Sequence, residues 1–165
     1  MEYGILQYDP KNFLNENWLR PAEIPLNMDY WRVSRFYNRL NRDDVSFIWC
    51  ANSKPGKRNR GIYNVATIRS VEPHSLEDER LINLMWESDG PRYDPDERRR
   101  LEQYPAILIK NQYSTDLQPP LLIEELRHEG FGDLLIIKMA RWGTYPLDPI
   151  VGERLLTYIR RTRRG

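Results

Sequence analysis

Two apolar segments joined by a polar, basic loop are the feature that most constrains how this 165-residue chain folds. Val45–Cys50 carries apolar side chains on both faces of an extended segment, which predicts a buried central strand. The loop that follows is centred on Pro55-Gly56, and residues 61–71 after it predict a second strand. The fold is therefore expected to be organised around a sheet that contains this pair of strands.

The rest of the chain mixes short strands and helices in an irregular order. Further strands are predicted over residues 3–8, 106–113 and 134–139, and helices over residues 31–40, 75–86, 121–128 and after 148. A Ser-x-x-Asp cap at Ser75 and an Asp-Pro start at Asp148 mark two helix beginnings. Because strands and helices do not alternate regularly, we predict an α+β fold, a small mixed β-barrel surrounded by short helices.

Size and composition limit the class of protein. The length fits one domain, predicted to span residues 1–165 with a charged insertion around 75–103. The net charge is +1, so attraction to nucleic acid has to come from a local patch. One cysteine and two histidines exclude an internal disulfide or a zinc site built from them, and a cytoplasmic location is expected. No apolar run approaches the roughly 20 residues of a membrane helix, so no membrane partner is expected.

Aromatic and polar residues near the predicted strand ends are candidates for a slot that holds a flat aromatic ligand. A pocket for a single nucleobase needs aromatic side chains for stacking and polar groups that bond to the edge of the base. The candidates are Tyr8, Asp9, Trp31, Ser34, Trp49, Asn52, Trp142 and Tyr145.

Each candidate also has a structural interpretation that the sequence leaves open. Trp31 forms one wall of the slot or anchors a short helix in the core. Trp49 shares a strand face with Val45 and Phe47, which favours core packing. The polar candidates are also typical of turns and helix caps, and the aromatic residues near position 144 are also typical of a tight connection or of the core.

Basic residues between the two central strands predict contacts to a phosphate chain. They are Lys54, Lys57, Arg58 and Arg60. Neutralised phosphates give an affinity that falls with salt, and the alternative is an ordinary solvated loop. Arginines elsewhere have local explanations, because those at 98–100 follow acidic residues and those at 160–164 complement the negative end of the last helix.

Four short blocks, spread in order over nearly the whole chain, form a recognisable pattern. They are the strand ending in Tyr8-Asp9-Pro10, Trp31 followed by Arg35 and the strand from Asp44 to Trp49, the strand start Gly61-Ile62-Tyr63, and the segment from Gly143 to Leu147. Together they resemble the EVE domain, a PUA-like family related to the YTH and ASCH domains. Two positions depart from the family pattern, because Gly4 stands where tryptophan is frequent and Asp43 stands where glycine precedes the aspartate.

The resemblance implies a PUA-like β-barrel and a non-catalytic role, and we expect no metal and no cofactor. It implies that the protein recognises a modified base in DNA or RNA, such as a methylated or hydroxymethylated cytosine flipped into an aromatic pocket. The kind of partner it implies besides nucleic acid is a restriction or RNA-processing system.

Two other classes of function remain alternatives to a base reader. A nuclease-like enzyme of the related ASCH type would need a positioned acid–base pair or metal-binding carboxylates. His74 and His128 have no nucleophile at an obvious spacing, and Asp43-Asp44 is as typical of a turn as of a metal site. A protein-interaction module would use the charged insertion as its docking surface.

Overall fold

The computed structural model describes residues 3–8, 21–33, 39–51, 60–71, 75–89, 94–113, 115–139 and 144–163. Within these ranges the strands are β1 (Tyr3–Tyr8), β2 (Met28–Arg32), β3 (Val45–Cys50), β4 (Gly61–Ser70), β5 (Ala106–Asn111), β6 (Leu121–Leu122) and β7 (Thr144–Leu147). The helices are α1 (Leu76–Asp89), α2 (Pro95–Glu102), α3 (Ile123–His128), α4 (Leu135–Met139) and α5 (Pro149–Thr162).

The described strands form one mixed sheet around the predicted central pair. The strand order is β2-β5-β4-β3-β1-β7, and β6 pairs with β4 outside this path. β1 and β3 run parallel, and the other described pairs are antiparallel. Every residue of β3 is buried, which confirms the central strand that its apolar sequence predicts.

Side chains on the two faces of the sheet pack into separate apolar clusters. On the inner face, the side chain of Trp31 packs against a cluster made of Leu6, Val33, Leu40, Ile48, Ala66, Ile68, Ile107 and Ile109. On the outer face, side chains of β1, β3 and β4 pack with α3, α4 and α5 in what is called the outer-face cluster. Side chains of β2 and β5 pack with α1 in a second cluster on the same face. Helices therefore surround the sheet on its outside, and the predicted α+β class is confirmed.

The sheet curls so that the first strand in its order approaches the fifth. The indole Nε1–H of Trp31 in β2 donates a hydrogen bond to the backbone oxygen of Gln7 in β1 at 3.2 Å. Three strands separate β2 from β1 in the sheet order, so a flat sheet would hold them about 19 Å apart at the usual strand spacing. An indole cannot span that distance. The bond therefore requires a curved, barrel-like sheet, as predicted.

Two predicted elements are wrong. Trp31 lies in strand β2, opposite Ile107 of β5, instead of beginning a helix over residues 31–40, of which 34–38 lie outside the described residues. Residues 135–139 form helix α4 instead of a strand, and Ile136 and Ile137 both lie in the outer-face cluster. The apolar run at residues 134–139 fits a strand and a buried helix equally well, which is the reason for the second error.

The charged insertion is only partly solvated. Leu81 and Met85 of α1 are buried against β2 and β5, so this half of the predicted insertion belongs to the core. Helix α2 buries none of its residues, and Arg99 and Arg100 pair with acidic residues one turn earlier, as the sequence predicts. None of the helices in the described ranges combines the length and the apolar character that crossing a membrane requires.

The C-terminal helix is fixed at both ends. The Asp148 side chain accepts a hydrogen bond from the backbone N–H of Ile150 at 2.9 Å, which confirms the predicted cap. At the other end, Glu125 of α3 accepts a 2.6 Å hydrogen bond from the Tyr158 hydroxyl and pairs with Arg163. The bond to Glu125, together with burial, raises the pKa of Tyr158 to about 12. Arg163 thus stabilises the packing of α5 on α3.

Asp43 occupies a backbone position that favours glycine. Its φ is 71°, and its N–H donates to the oxygen of Ile68 at 2.8 Å, while the neighbouring Asp44 carboxylate accepts from the N–H of Asn41 at 2.7 Å. A left-handed conformation costs an ordinary residue roughly 1–2 kcal/mol, and less for aspartate. Aspartate at this position therefore carries a small strain that a glycine would relieve.

We expect Asp43→Gly to raise the free energy of unfolding by about 0.5 kcal/mol, because relief of the strain exceeds the added entropy of the unfolded chain. Urea unfolding followed by circular dichroism measures the change. Arg42→Gly is the matched control, since Arg42 does not share the positive φ, and it should destabilise the protein. A loss of stability in Asp43→Gly would show that the aspartate side chain contributes more than its backbone costs.

Candidate base-binding site

Strand β1 extends beyond β7 at one end of the sheet. β7 begins at Thr144, opposite Leu6, whereas β1 continues through Gln7 to Tyr8. On its other side, Tyr8 lies opposite Cys50 of the parallel strand β3. In the part of the chain that the structure describes, the edge of β1 at Gln7 therefore faces no strand.

Trp31 occupies this open edge. Its indole is partly buried against the inner-face cluster, and its Nε1–H donates to the Gln7 backbone oxygen at 3.2 Å. The hydrogen bond and the packing together hold the ring in one orientation before any ligand arrives. An aromatic ring held in this way is suited to stacking on a planar heterocycle.

Trp49 does not form a second wall beside Trp31. Its side chain is 0% exposed and belongs to the outer-face cluster under the helices. Successive side chains of a strand point to opposite faces, so Trp49 shares the outer face with Phe47 while Ile48 joins Trp31 on the inner face. Trp49 is therefore a core residue, as its strand face favours, and its candidacy as a residue of the slot is corrected.

Tyr145 is also a core residue. It lies in strand β7 opposite Ile5, is 8% exposed, and belongs to the same outer-face cluster as Trp49. The segment from Thr144 to Leu147 is therefore a strand that pairs with β1. Core packing, one of the alternatives left open by the sequence, describes Tyr145, and its candidacy as a residue of the slot is corrected.

The remaining candidates for the pocket lie outside the described residues. They are the side chain of Tyr8 and the residues Asp9, Ser34, Asn52 and Trp142. In the sequence, Asp9 directly follows β1, Asn52 comes two residues after β3, and Trp142 comes two residues before β7. Their role in binding stays a prediction.

Arg60 is the one predicted phosphate ligand among the described residues, since Lys54, Lys57 and Arg58 lie outside them. Its side chain is half-buried, and its Nη2 donates to the backbone oxygen of Ile136 in α4 at 3.3 Å. Its own backbone oxygen accepts from the N–H of Ile123 at 3.2 Å. Arg60 therefore ties the end of the basic loop to α3 and α4, and part of its donor capacity is used within the fold.

Gln7 is a site residue that sequence reasoning missed. Its backbone oxygen orients Trp31, and a backbone contact leaves no signal in the residue type. Among the described residues, its buried side-chain oxygen has no hydrogen-bond partner, and the same is true of the indole nitrogen of Trp49, which stands opposite Gln7 in the register. Unpaired buried polar atoms are uncommon and costly, so this end of the sheet differs from an ordinary core.

Metal-binding side chains do not cluster in the described part of the chain. No group of three or more histidine, cysteine, aspartate or glutamate residues is arranged there to hold an ion. The Asp44 carboxylate accepts from the backbone of Asn41, as in a turn. For Asp43-Asp44, the turn interpretation is therefore the one that the structure supports.

Comparisons with known proteins identify the fold. No family model matches the chain, and no curated protein sequence matches it either. A hypothetical protein from Leishmania major is similar in structure, with a TM-score of 0.57, 12% identity, and coverage of 98% of this chain and 96% of that one. The structure of human THYN1 in complex with 5-methylcytosine-containing DNA has a TM-score of 0.56 at 12% identity, with both chains fully covered.

The DUF55 domain of human thymocyte nuclear protein 1 gives a third match, with a TM-score of 0.55 and 15% identity over 94% of this chain and 97% of that domain. At these identities the likeness shows the fold alone. It confirms the PUA-like fold of the EVE type that the sequence blocks imply.

Proposed function

We propose that this protein is a non-catalytic nucleic-acid-binding module that reads a modified base, with Trp31 as one wall of the pocket. The base is a methylated or hydroxymethylated cytosine flipped out of its stack. The observation that carries the proposal is the Trp31 indole, held on the Gln7 oxygen at the open edge of β1. The DNA complex of human THYN1, which has the same fold, supports methylated DNA as the first ligand to test.

The energetics require a close-fitting pocket. Extruding a base costs a few kcal/mol, and stacking on an aromatic side chain returns roughly 1–3 kcal/mol. A buried methyl group adds only about 1 kcal/mol, so selection for the modified base depends on a wall that fits it closely. Since Trp49 lies in the core, the aromatic candidates for the opposing wall are Tyr8 and Trp142. The candidates for hydrogen bonds to the edge of the base are Asp9, Ser34 and Asn52.

The test compares oligonucleotides that differ only in one base. Fluorescence anisotropy measures the affinity for duplexes and single strands of DNA and RNA that carry 5-methylcytosine, 5-hydroxymethylcytosine or cytosine at one position. We expect tighter binding to one modified form, and no cleavage of the same samples with Mg²⁺ or Mn²⁺ added. Equal affinity for every form would refute base reading, and cleavage that survives purification would refute the non-catalytic role.

The basic loop is expected to supply affinity without selectivity. Reversing the charges at Lys57 and Arg58 to glutamate should weaken binding to modified and unmodified DNA equally. It should also reduce the slope of log affinity against log salt by about 1 for each phosphate that the protein no longer neutralises. Titrations at several salt concentrations measure both effects.

Arg99 and Arg100 of α2 provide the matched control for the loop, because the double change to glutamate alters the net charge by the same amount. Both arginines pair with acidic residues of their own helix. We expect a smaller effect on the salt slope from this control. An equal effect from the two double variants would show that the loop makes no specific phosphate contact.

A further inference from the structure

Trp86 of helix α1 contacts both sequence neighbours of Trp31. The Tyr30 ring meets the Trp86 ring edge to face, with centroids 6.2 Å apart and an interplanar angle of 89°. The guanidinium of Arg32 lies 4.5 Å from the centroid of the same ring. Side chains alternate along β2, so Tyr30 and Arg32 lie on its outer face, where Trp86 contacts them. Trp31, between them, lies on the inner face.

Helix α2 reaches this contact through Arg98. The Arg98 guanidinium lies 4.2 Å from the Trp86 centroid, and its Nη1 donates to the Trp86 backbone oxygen at 3.0 Å. Its Nε also pairs with Glu102 at 3.4 Å. Two guanidinium groups therefore stack on one indole that is only 8% exposed, where screening by water is weak.

The Arg32 side chain joins the same assembly to the end of α2. Its Nη1 donates to the backbone oxygen of Tyr104 at 2.8 Å and lies 3.5 Å from that of Glu102. Contacts among Arg32, Trp86 and Arg98, named here the arginine–tryptophan stack, thus connect the charged insertion to the strand that carries Trp31. Glu102 is an acidic partner of the stack through Arg98.

Strand β2 depends on this support because it is at the edge of the described sheet. It pairs with β5 along one side, and across the other side the bond from Trp31 to Gln7 links it to β1. A small shift or rotation of β2 would therefore move the Trp31 indole relative to the edge of β1. Contacts on the back of the strand oppose such a shift.

We propose that Trp86 and Arg98 are positioning residues that set the orientation of Trp31 and thereby the selectivity of the base site. The inference rests on the proposed function insofar as it concerns selectivity. Its structural part, that the stack holds the Trp31 indole on the Gln7 oxygen, concerns the free protein. The helices of the charged insertion then hold β2, and with it Trp31, in position at the site.

The test uses two variants of one helix. Arg98→Met keeps most of the aliphatic stem and removes the guanidinium from Trp86. Arg99→Met removes the same charge from a side chain that is 75% exposed and pairs only with Asp96 among the contacts described. Each variant loses one positive charge, so long-range attraction to nucleic acid changes equally in both. A difference between the two variants therefore measures the contribution of the arginine–tryptophan stack. Arg98→Lys keeps the charge without the planar group and should restore part of any loss.

The first readout is the indole N–H of Trp31 in the ¹⁵N spectrum of the free protein, assigned with Trp31→Phe. We expect a shifted resonance and faster hydrogen exchange in Arg98→Met than in the wild type and Arg99→Met. The second readout is the ratio of affinities for DNA duplexes with 5-methylcytosine or cytosine at one position. We expect this ratio to fall roughly fivefold in Arg98→Met and to stay unchanged in Arg99→Met.

The two readouts separate failure of the inference from failure of the proposed function. An unchanged Trp31 indole signal in Arg98→Met would overturn the positioning role, whatever the DNA titrations give. A wild-type protein that does not distinguish the two duplexes would refute base reading, while the indole signal would still decide whether the stack positions Trp31. A shifted indole signal with an unchanged affinity ratio would overturn the link to selectivity.

Discussion

Trp31→Ala is expected to abolish the preference for a modified base. Stacking contributes roughly 1–3 kcal/mol per base, so the loss corresponds to about fivefold to 150-fold in affinity. The indole is only partly buried and contacts the inner-face cluster from one side, so the variant should lose some stability but keep its fold. Anisotropy titrations with DNA duplexes carrying 5-methylcytosine or cytosine measure the effect.

Trp31→Phe is the matched control, because it keeps an aromatic ring, although a smaller one, and removes the donor to Gln7. We expect an intermediate loss of affinity for the modified duplex, since the ring still stacks but is no longer fixed by the hydrogen bond. Circular dichroism and unfolding curves establish that both variants are folded. Wild-type affinity for the modified duplex in a folded Trp31→Ala protein would refute the assignment of Trp31 as a wall.

Gly61→Ala is expected to lower the free energy of unfolding by about 2–4 kcal/mol. A Cβ at this position would lie 2.4 Å from the Leu121 oxygen and 2.9 Å from the Leu122 Cα. Both are backbone atoms of β6, which pairs directly with the start of β4. Because neither can rotate away, the two strands have to separate, and the hydrogen bond from Ile123 to the Arg60 oxygen breaks with them.

Gly132→Ala is the control for the glycine prediction. Its Cβ would meet the Arg127 Cγ at 3.4 Å, which is an ordinary contact with a flexible side chain. We expect a change below about 0.5 kcal/mol in urea unfolding, as for a surface substitution. Equal stability of the two variants would show that β6 accommodates the methyl group and that Gly61 is not required by close approach.

The sequence was sufficient for the elements with strong local signals. Strands β1 and β3 match their predicted bounds, because both are apolar runs that end at polar or Pro-containing segments. The Ser75 hydroxyl accepts from the N–H of Asp78 at 3.1 Å, as the cap pattern predicts. The order of the four blocks also led to the correct fold. Proteins of one fold can keep the order and spacing of such blocks even when their sequence identity is as low as the 12% seen with human THYN1.

The site was harder to predict because it depends on contacts between distant segments. Residues 28–32 contain two large aromatic side chains in succession, so their alternation between faces is not visible as an apolar pattern. Trp31 and Trp49 lie on opposite faces of a curled sheet, and that curvature is a property of the whole sheet. The Gln7 oxygen and the stack on Trp86 are likewise set by tertiary packing.

The position of the Trp31 ring relative to the base can be observed directly. The experiment follows the ¹⁵N-labelled Trp31 indole resonance during titration with a DNA duplex that carries one 5-methylcytosine, and in parallel with its unmodified counterpart. Stacking on the extruded base predicts an upfield shift of this proton with the modified duplex only, because the base lies over the indole. A Trp31 resonance that stays in place while the modified duplex saturates the protein would contradict base reading at this edge of the sheet.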